Sequence, residues 1–201
     1  MRASPLNFIG YRFYAAVLVT AALFSLGLAA QAAWIPLKAE LAQWLIEKSW
    51  EEVRQGGSGR PWPWADTRPA AVLEVPARNV RLVVLEGNSG RNLAFGPVFA
   101  DGTASGSDRV ISGQRDTHFR FLNTLQTGDR LLLSLREGDE WFEVRETDVV
   151  DSRHHELVIE PGIERLSLVT CYPFDSPRAG GTLRYVVTAL PVNPPRSASS
   201  G

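Results

Sequence analysis

The chain has 201 residues, of which 44% are hydrophobic, and its formal net charge is −1 at pH 7. This length suits one folded domain with accessory segments. The nearly neutral charge gives no electrostatic footprint for nucleic acid, so no nucleic-acid partner is predicted. Cys171 is the single cysteine, which excludes an intramolecular disulfide and leaves one thiol whose role must be explained.

An uncharged apolar stretch, residues 13–33, follows a short N-terminal segment, residues 1–12. At about 1.5 Å per residue this stretch spans roughly 31 Å, which is the hydrocarbon thickness of a bilayer. Arg2 and Arg12 precede it, so the positive-inside bias predicts a cytoplasmic N-terminus, a single-pass anchor in the inner membrane and an exported remainder. The alternative is a cleaved signal peptide ending near residues 30–32, which read Ala-Gln-Ala; the length favours the anchor.

Residues 34–69 are predicted to form a juxtamembrane helix and then a linker. Apolar residues after Pro36 recur at spacings of three and four, which indicates an amphipathic helix with Leu37, Leu41, Trp44 and Leu45 on one face. Trp44 and Trp50 would lie at the membrane interface or pack on the domain, and we favour the second. The Gly/Pro-rich residues 56–69 predict a linker, so the domain is expected to begin near Ala70.

Residues 70–191 change to a β-type pattern. Eight short segments are rich in β-branched or aromatic residues and are bounded by Gly, Pro, Asn or Asp. They are AVLEV, VRLVVLE, RVISG, RLLLSLR, WFEVRETDVV, HELVIE, RLSLVTC and LRYVVTAL. With too few helical crossovers for a parallel α/β sheet, they predict an all-β barrel or sandwich. Residues 192–201 lack the apolar content to fold and are predicted to be disordered.

One short helix, residues 117–125, is predicted between the third and fourth strands. Asp116 or Thr117 would be its N-cap. The helix would place three residues on one face, namely Phe119, Leu122 and Gln126.

Cys171 and Arg184 are the strongest candidates for chemistry. Cys171 ends a predicted strand and is followed by Pro173, which would hold the thiol in a fixed place. Arg184 opens the next strand, where its guanidinium could favour the thiolate and bind a developing oxyanion. Taken one at a time, a small buried cysteine and a surface arginine remain the alternatives.

Several segments together resemble the sortase family. The segment SLVTC resembles the sortase cysteine motif T-L-x-T-C, with Ser167 in place of the first threonine, and Arg184 lies on the next strand as in that family. The segment ISGQRDTHFRFL resembles the sortase stretch G-H-R-D-T-x-F-x-x-L. The segments PWPWADTRPAAVLEVP and GRNLAFGP, with the N-terminal anchor, are similar to the Gram-negative sortases of class GN.

The resemblance implies a closed sortase-type β-barrel of about eight strands with a short helix, and a cysteine transpeptidase activity in the periplasm. It implies that Cys171 is the nucleophile that carries an acyl-thioester and that Arg184 stabilises substrate and oxyanion. The implied partner is an exported protein with a C-terminal LPXTG-like sorting signal. No cofactor and no metal are implied.

The resemblance departs from the family at Gln114, where a histidine is expected as general acid and base. Glutamine cannot transfer a proton at neutral pH, so expulsion of an amine should lose about 10²–10⁴ in rate. Three alternatives stay open. His118 could replace the missing histidine, the protein could be a degenerate sortase that binds a sorting peptide as a membrane-tethered module, or Gln114 could be an isolated change of one base in an otherwise intact enzyme.

The other histidines predict no second site. His154 and His155 are adjacent, so in a strand they would point to opposite faces, and solvated strand residues are expected. The spacing of the histidines and Cys171 does not match a zinc site.

Overall fold

The computed structural model describes residues 6–87, 89–154, 158–160, 162–176 and 180–195. A long helix comes first and strands follow. These elements are α1 (Leu6–Arg54), β1 (Pro69–Val75), β2 (Val80–Leu85), β3 (Val98–Phe99), β4 (Asp108–Ser112), β5 (Arg130–Leu135), β6 (Asp139–Asp151), β7 (Arg165–Cys171) and β8 (Leu183–Val192). Three short 3-10 helices lie between them, at Pro76–Arg78, Asn92–Ala94 and Arg120–Thr124.

The strands close into a barrel in the order β1-β2-β3-β4-β7-β8-β6-β5, which confirms the predicted all-β barrel. Most neighbours are antiparallel, whereas β2 with β3 and β4 with β7 are parallel pairs. Because β4 and β7 run in the same direction, their carboxyl ends meet at one end of the barrel. The predicted thiol lies at that end.

The barrel has two apolar clusters because β1 and β2 are apolar on both faces. Alternate residues such as Leu73 and Val84 fill the interior with residues of the other strands. The opposite face of the same strands carries Val72 and Val83, which form a second cluster outside the barrel. Its other members are Ile46, Trp50, Leu85 and Val98.

The helix α1 differs from the prediction, because it continues without interruption through Pro36 to Arg54. The expected apolar face is also wrong: Leu41 is 54% and Trp44 57% exposed, whereas Ile46 and Trp50 are 1% and 3% exposed. The physical reason is that the outer face of β1 and β2 needs a cover, and Ile46 and Trp50, four residues apart, supply it.

The chain divides into two compact units, residues 1–42 and 43–201. The end of α1, Gln43–Arg54, therefore belongs to the unit that contains the barrel. The first unit contains the apolar part of α1, which is long and apolar enough to cross a membrane by length and composition alone. A signal sequence would pass the same test.

One predicted strand, HELVIE, is not among the eight strands that the structure describes. The segment HELVIE covers residues 155–157, which lie outside the described residues, and residues 158–160, which are not in a strand. The backbone groups of this segment bind side chains and not a neighbouring strand. The Glu160 N–H donates to the Asp108 carboxylate at 2.9 Å, and Arg165 Nη2 donates to the Val158 carbonyl at 3.1 Å. The two-residue strand β3 is the eighth instead, and it is too short to give a periodic signal.

The predicted helix 117–125 is a shorter 3-10 helix, Arg120–Thr124. Its N-cap is Phe119, which has no side-chain acceptor, so neither Asp116 nor Thr117 caps it as predicted, and the Asp116 carboxylate binds the Arg115 guanidinium instead. Phe119 and Leu122 are buried as expected, but Gln126 is exposed. The strand β8 ends at Val192, and residues 196–201 of the predicted disordered tail lie outside the described residues.

Candidate active site

Cys171 and Arg184 face each other across two neighbouring strands. They are direct partners in the antiparallel register of β7 and β8. The Tyr172 N–H donates to the Leu183 carbonyl at 3.1 Å and continues the pairing past the thiol. Since directly opposite residues project to the same face of a sheet, the thiol and the guanidinium share one face. The thiol is partly exposed.

Gln114 lies in step with Cys171 on the other side of β7. The parallel register of β4 and β7 ends with Ser112 beside Val169, and Gln114 and Cys171 are each two residues further on. Two hydrogen bonds extend the contact, from the Gly113 N–H to the Val169 carbonyl at 3.1 Å and from Thr170 Oγ1 to the Gly113 carbonyl at 2.8 Å. The segment that contains Gln114 therefore lies beside the end of β7, and Arg184 lies opposite Cys171 on β8.

Gly113, directly after β4, lies where an aromatic ring occupies the space of a side chain. A Cβ on Gly113 would lie 2.6 Å from the nearest carbon of the Phe119 ring. Phe119 is fully buried, and its N–H donates to the Gln114 carbonyl at 2.9 Å. The backbone of position 114 is thus fixed, while its side chain is exposed.

The Arg184 guanidinium is bound to the loop before β8. Its Nη1 donates to the carbonyls of Gly181 at 2.8 Å and Leu183 at 2.9 Å. Both bonds use Nη1, and N–H donors of a planar guanidinium are suited to bind an oxyanion.

His118 lies beside a surface depression. It lines a depression of about 700 Å³ between the start of β2 and the 3-10 helix Arg120–Thr124, and Cys171 does not line that depression. Its Nδ1 lies 3.2 Å from Thr117 Oγ1. Burial lowers the pKa of His118 below its usual value, so the neutral imidazole predominates at pH 7. The strand registers therefore pair Cys171 with Arg184 and bring the segment of Gln114 beside the end of β7, whereas His118 lines a depression that Cys171 does not line.

Arg115 is a residue of this site that the sequence did not single out. Its guanidinium is 5% exposed and reaches the loop that follows Cys171. The hydrogen bond that Arg115 donates to the Asp116 carboxylate raises the pKa of Arg115, and the same bond lowers the pKa of Asp116. The only available signal was its place directly after Gln114.

No group of three or more His, Cys, Asp or Glu side chains able to hold a metal ion occurs within the described part of the chain. His154 is exposed in a turn after β6, not in a strand as predicted, and His155 lies outside the described residues.

A family model for the sortase domain matches residues 73–192, which is more than half of the chain. The chain belongs to the sortase family. The Sortase D of Bacillus subtilis (strain 168) is 33% identical over 109 residues, which are 52% of this sortase and 55% of that relative. The match thus covers about half the length of the relative.

Solved structures of sortases share the fold. The structure of Sortase A from Corynebacterium diphtheriae has a TM-score of 0.57 at 22% identity and covers 66% of this chain and 65% of its own. The sortase C from Clostridium perfringens SM101 has a TM-score of 0.53 at 22% identity and covers 77% of this chain and 89% of its own. At these identities the likeness concerns the fold alone.

Proposed function

We propose that this sortase is a membrane-anchored cysteine transpeptidase. Cys171 is the nucleophile and acyl carrier, and Arg184 binds the substrate carbonyl and its oxyanion. The observation that carries the proposal is the register of β7 and β8, in which Cys171 and Arg184 are direct partners at one end of the barrel. A thiol and a cation on the same face are what nucleophilic attack on a peptide carbonyl requires.

The reaction has two steps. The Cys171 thiolate attacks the carbonyl carbon of a peptide bond, and Arg184 stabilises the negative oxygen of the tetrahedral intermediate. The C–N bond then breaks, the amine leaves with a proton, and a thioester remains on the sulfur. A second amine attacks the thioester carbon, loses its proton and releases the thiolate. Each step moves one proton, and a general acid and base at position 114 would do this in a complete site.

Gln114 cannot move that proton, which sets the expected rate. Loss of the general acid is worth about 10²–10⁴ in rate. His118 is four residues after Gln114 and is the histidine nearest to it in the sequence. It lines a depression that Cys171 does not line, which argues against His118 as a direct substitute for the missing histidine.

A second function is favoured by the same observation on Gln114. The exposed amide stands in step with Cys171 where a proton donor is needed, and it can donate and accept hydrogen bonds to a peptide. The alternative is a degenerate sortase that acts as a membrane-tethered peptide-binding module.

The proposed partner is an exported protein with a C-terminal LPXTG-like sorting signal. We place the apolar part of α1, residues 13–33, across the cytoplasmic membrane, with residues 1–12 inside and the barrel in the periplasm. The helix length and its low charge support this placement. The sequence segments similar to Gram-negative sortases support class GN.

The test is cleavage of a fluorogenic LPXTG-like peptide by the full chain in detergent, with mass spectrometry of the thioester on Cys171. Four forms are compared, namely the natural chain, Gln114→His, His118→Gln and Cys171→Ala. Gln114→His should raise the rate of thioester formation about 10²-fold or more. Cys171→Ala should form none.

The outcomes separate the two functions. Slow thioester formation by the natural chain, increased by Gln114→His, supports the transpeptidase. Peptide binding by the natural chain with no thioester, and turnover only in Gln114→His, supports the binding module. A thioester-independent cleavage that survives in Cys171→Ala would refute the transpeptidase, and loss of turnover in His118→Gln would show that His118 supplies the proton after all.

A further inference from the structure

The guanidinium of Arg115 connects two segments that are far apart in the chain. Its Nε and Nη2 donate to the Asp116 carboxylate at 2.7 and 2.9 Å. Its Nη1 donates to the Pro173 carbonyl at 2.7 Å, and Nη2 also donates to the Ser176 carbonyl at 2.9 Å. The side chain is only 5% exposed, whereas that of Asp116 is 66% exposed.

The two carbonyls belong to the loop directly after the proposed nucleophile. Pro173 is two residues beyond Cys171, and the loop is held on its other side by packed rings. Phe174 lies edge-on against Tyr185, with 5.1 Å between ring centroids, and Tyr172 stacks on the same ring at 6.2 Å. The loop is therefore fixed between β8 and the segment that follows Gln114.

An ion pair with Asp116 alone does not explain why this arginine is buried. Asp116 is the adjacent residue and is itself exposed, so the pair could form entirely in water. Burial of the guanidinium carries a desolvation cost, which the two loop carbonyls help to offset because they bind donors that would otherwise be unpaired. A planar group with donors in a fixed fork fits this three-way contact, and a lysine ammonium does not.

We propose that Arg115 is a positioning residue for Cys171. By binding Asp116 and the carbonyls of Pro173 and Ser176, it fixes the loop that follows β7 and so holds the thiol in step with position 114 and Arg184. The catalytic consequence rests on the proposed transpeptidase function, but the fixing of the loop does not.

The first test is hydrogen exchange of the amides between Tyr172 and Ser176 in the full chain. Arg115→Met removes the planar guanidinium with its N–H donors, and Arg115→Lys keeps the positive charge but not the planar group. Both should accelerate exchange in this loop about tenfold or more, because each hydrogen bond from a charged donor is worth about that factor. Amides of β1 and β5, which lie across the barrel from β7, should exchange at the same rate as in the natural chain. Arg120→Met is the control, since Arg120 is an exposed arginine beside the same loop.

The second test is the pH profile of Cys171 alkylation by iodoacetamide, with no peptide substrate. The plateau at high pH reports access to the sulfur, and the midpoint reports the charge around it. Arg115→Met and Arg115→Lys should raise the plateau about threefold or more, because release of the loop uncovers a half-buried thiol. A merely structural arginine would lower the unfolding temperature and leave this plateau where it is.

Unchanged loop exchange and an unchanged plateau in Arg115→Met would overturn the proposal. Full recovery of both by Arg115→Lys would overturn it as well, since charge and not the fork would then be sufficient. If Arg115→Met does not fold, Arg115→Lys and Asp116→Asn carry the test, and Asp116→Asn should accelerate loop exchange by a smaller factor. Neither readout requires turnover, so a chain that never cleaves a peptide would refute the proposed function and leave this inference standing.

Discussion

The two tryptophans at the end of α1 offer a matched pair of substitutions. Trp50 is 3% exposed and lies in the outer apolar cluster, whereas Trp44, six residues earlier in the same helix, is 57% exposed. Trp50→Ala should therefore destabilise the barrel strongly and Trp44→Ala only slightly. The comparison cancels the change in helix propensity, because residue type and helix are the same.

The magnitude follows from burial. Truncation of a buried tryptophan to alanine costs about 3–5 kcal/mol, including the cavity left against Val72 and Val83. Trp44 loses mainly its contact with the Lys48 ammonium, 5.4 Å from the ring centroid, which is worth about 0.5–1 kcal/mol at an exposed site. Since a domain is stable by only about 5–15 kcal/mol, Trp50→Ala removes a large part of the total.

Urea unfolding of the full chain in detergent micelles, followed by circular dichroism of the barrel, measures both variants. The expected result is a lower midpoint for Trp50→Ala at an unchanged slope, and a midpoint within about 0.5 M of the natural chain for Trp44→Ala. Equal midpoints for the two variants would refute the reasoning, because the end of α1 would then not be part of the folded domain.

Three further predictions concern the site and its surroundings. Gly113→Ala should cost about 1–3 kcal/mol or more in urea unfolding, because its Cβ would lie 2.6 Å from the buried Phe119 ring, and a loss below about 0.5 kcal/mol would contradict that contact. Asp108→Asn should cost about 1.5–3 kcal/mol, because it weakens a buried carboxylate bound by Arg165 at 2.6 Å, and Asp101→Asn, at an exposed position, is the control. Burial lowers the pKa of His118, so the folded state should lose stability as the pH falls from about 6.5, the pKa in the unfolded chain, toward the lower pKa in the folded chain. In His118→Gln, the urea midpoint should depend less on pH over this range. A pH dependence identical to that of the natural chain would contradict the burial of His118.

The barrel could be predicted because most of its strands have clear patterns. Strands such as β5 alternate exposed and buried residues, and β7 and β8 are bounded by turn residues. What could not be predicted depended on contacts between distant residues. The strand β3 is defined by its partners, and the cover of the outer cluster by Ile46 and Trp50 depends on the apolar outer face of β1 and β2.

The pairing of Cys171 with Arg184 could be predicted from the sequence because it depends on one pair of strands. Cys171 and Arg184 follow each other along the chain, so an antiparallel pair was enough to bring them together. The contact of Arg115 with the loop after Cys171 spans more than fifty residues and depends on the parallel pairing of β4 with β7, which no local pattern specifies.

The side chain at position 114 matters for the proposed chemistry but not for the packing of the barrel. Its backbone carbonyl accepts the Phe119 N–H, and its side chain is exposed, so glutamine and histidine satisfy the barrel equally well. Selection for a stable protein therefore does not act on the identity of this residue, and drift can change it without an intermediate that fails to fold. Under the function proposed above, one substitution at this position would exchange a peptide-binding protein for an acylating enzyme on the same barrel.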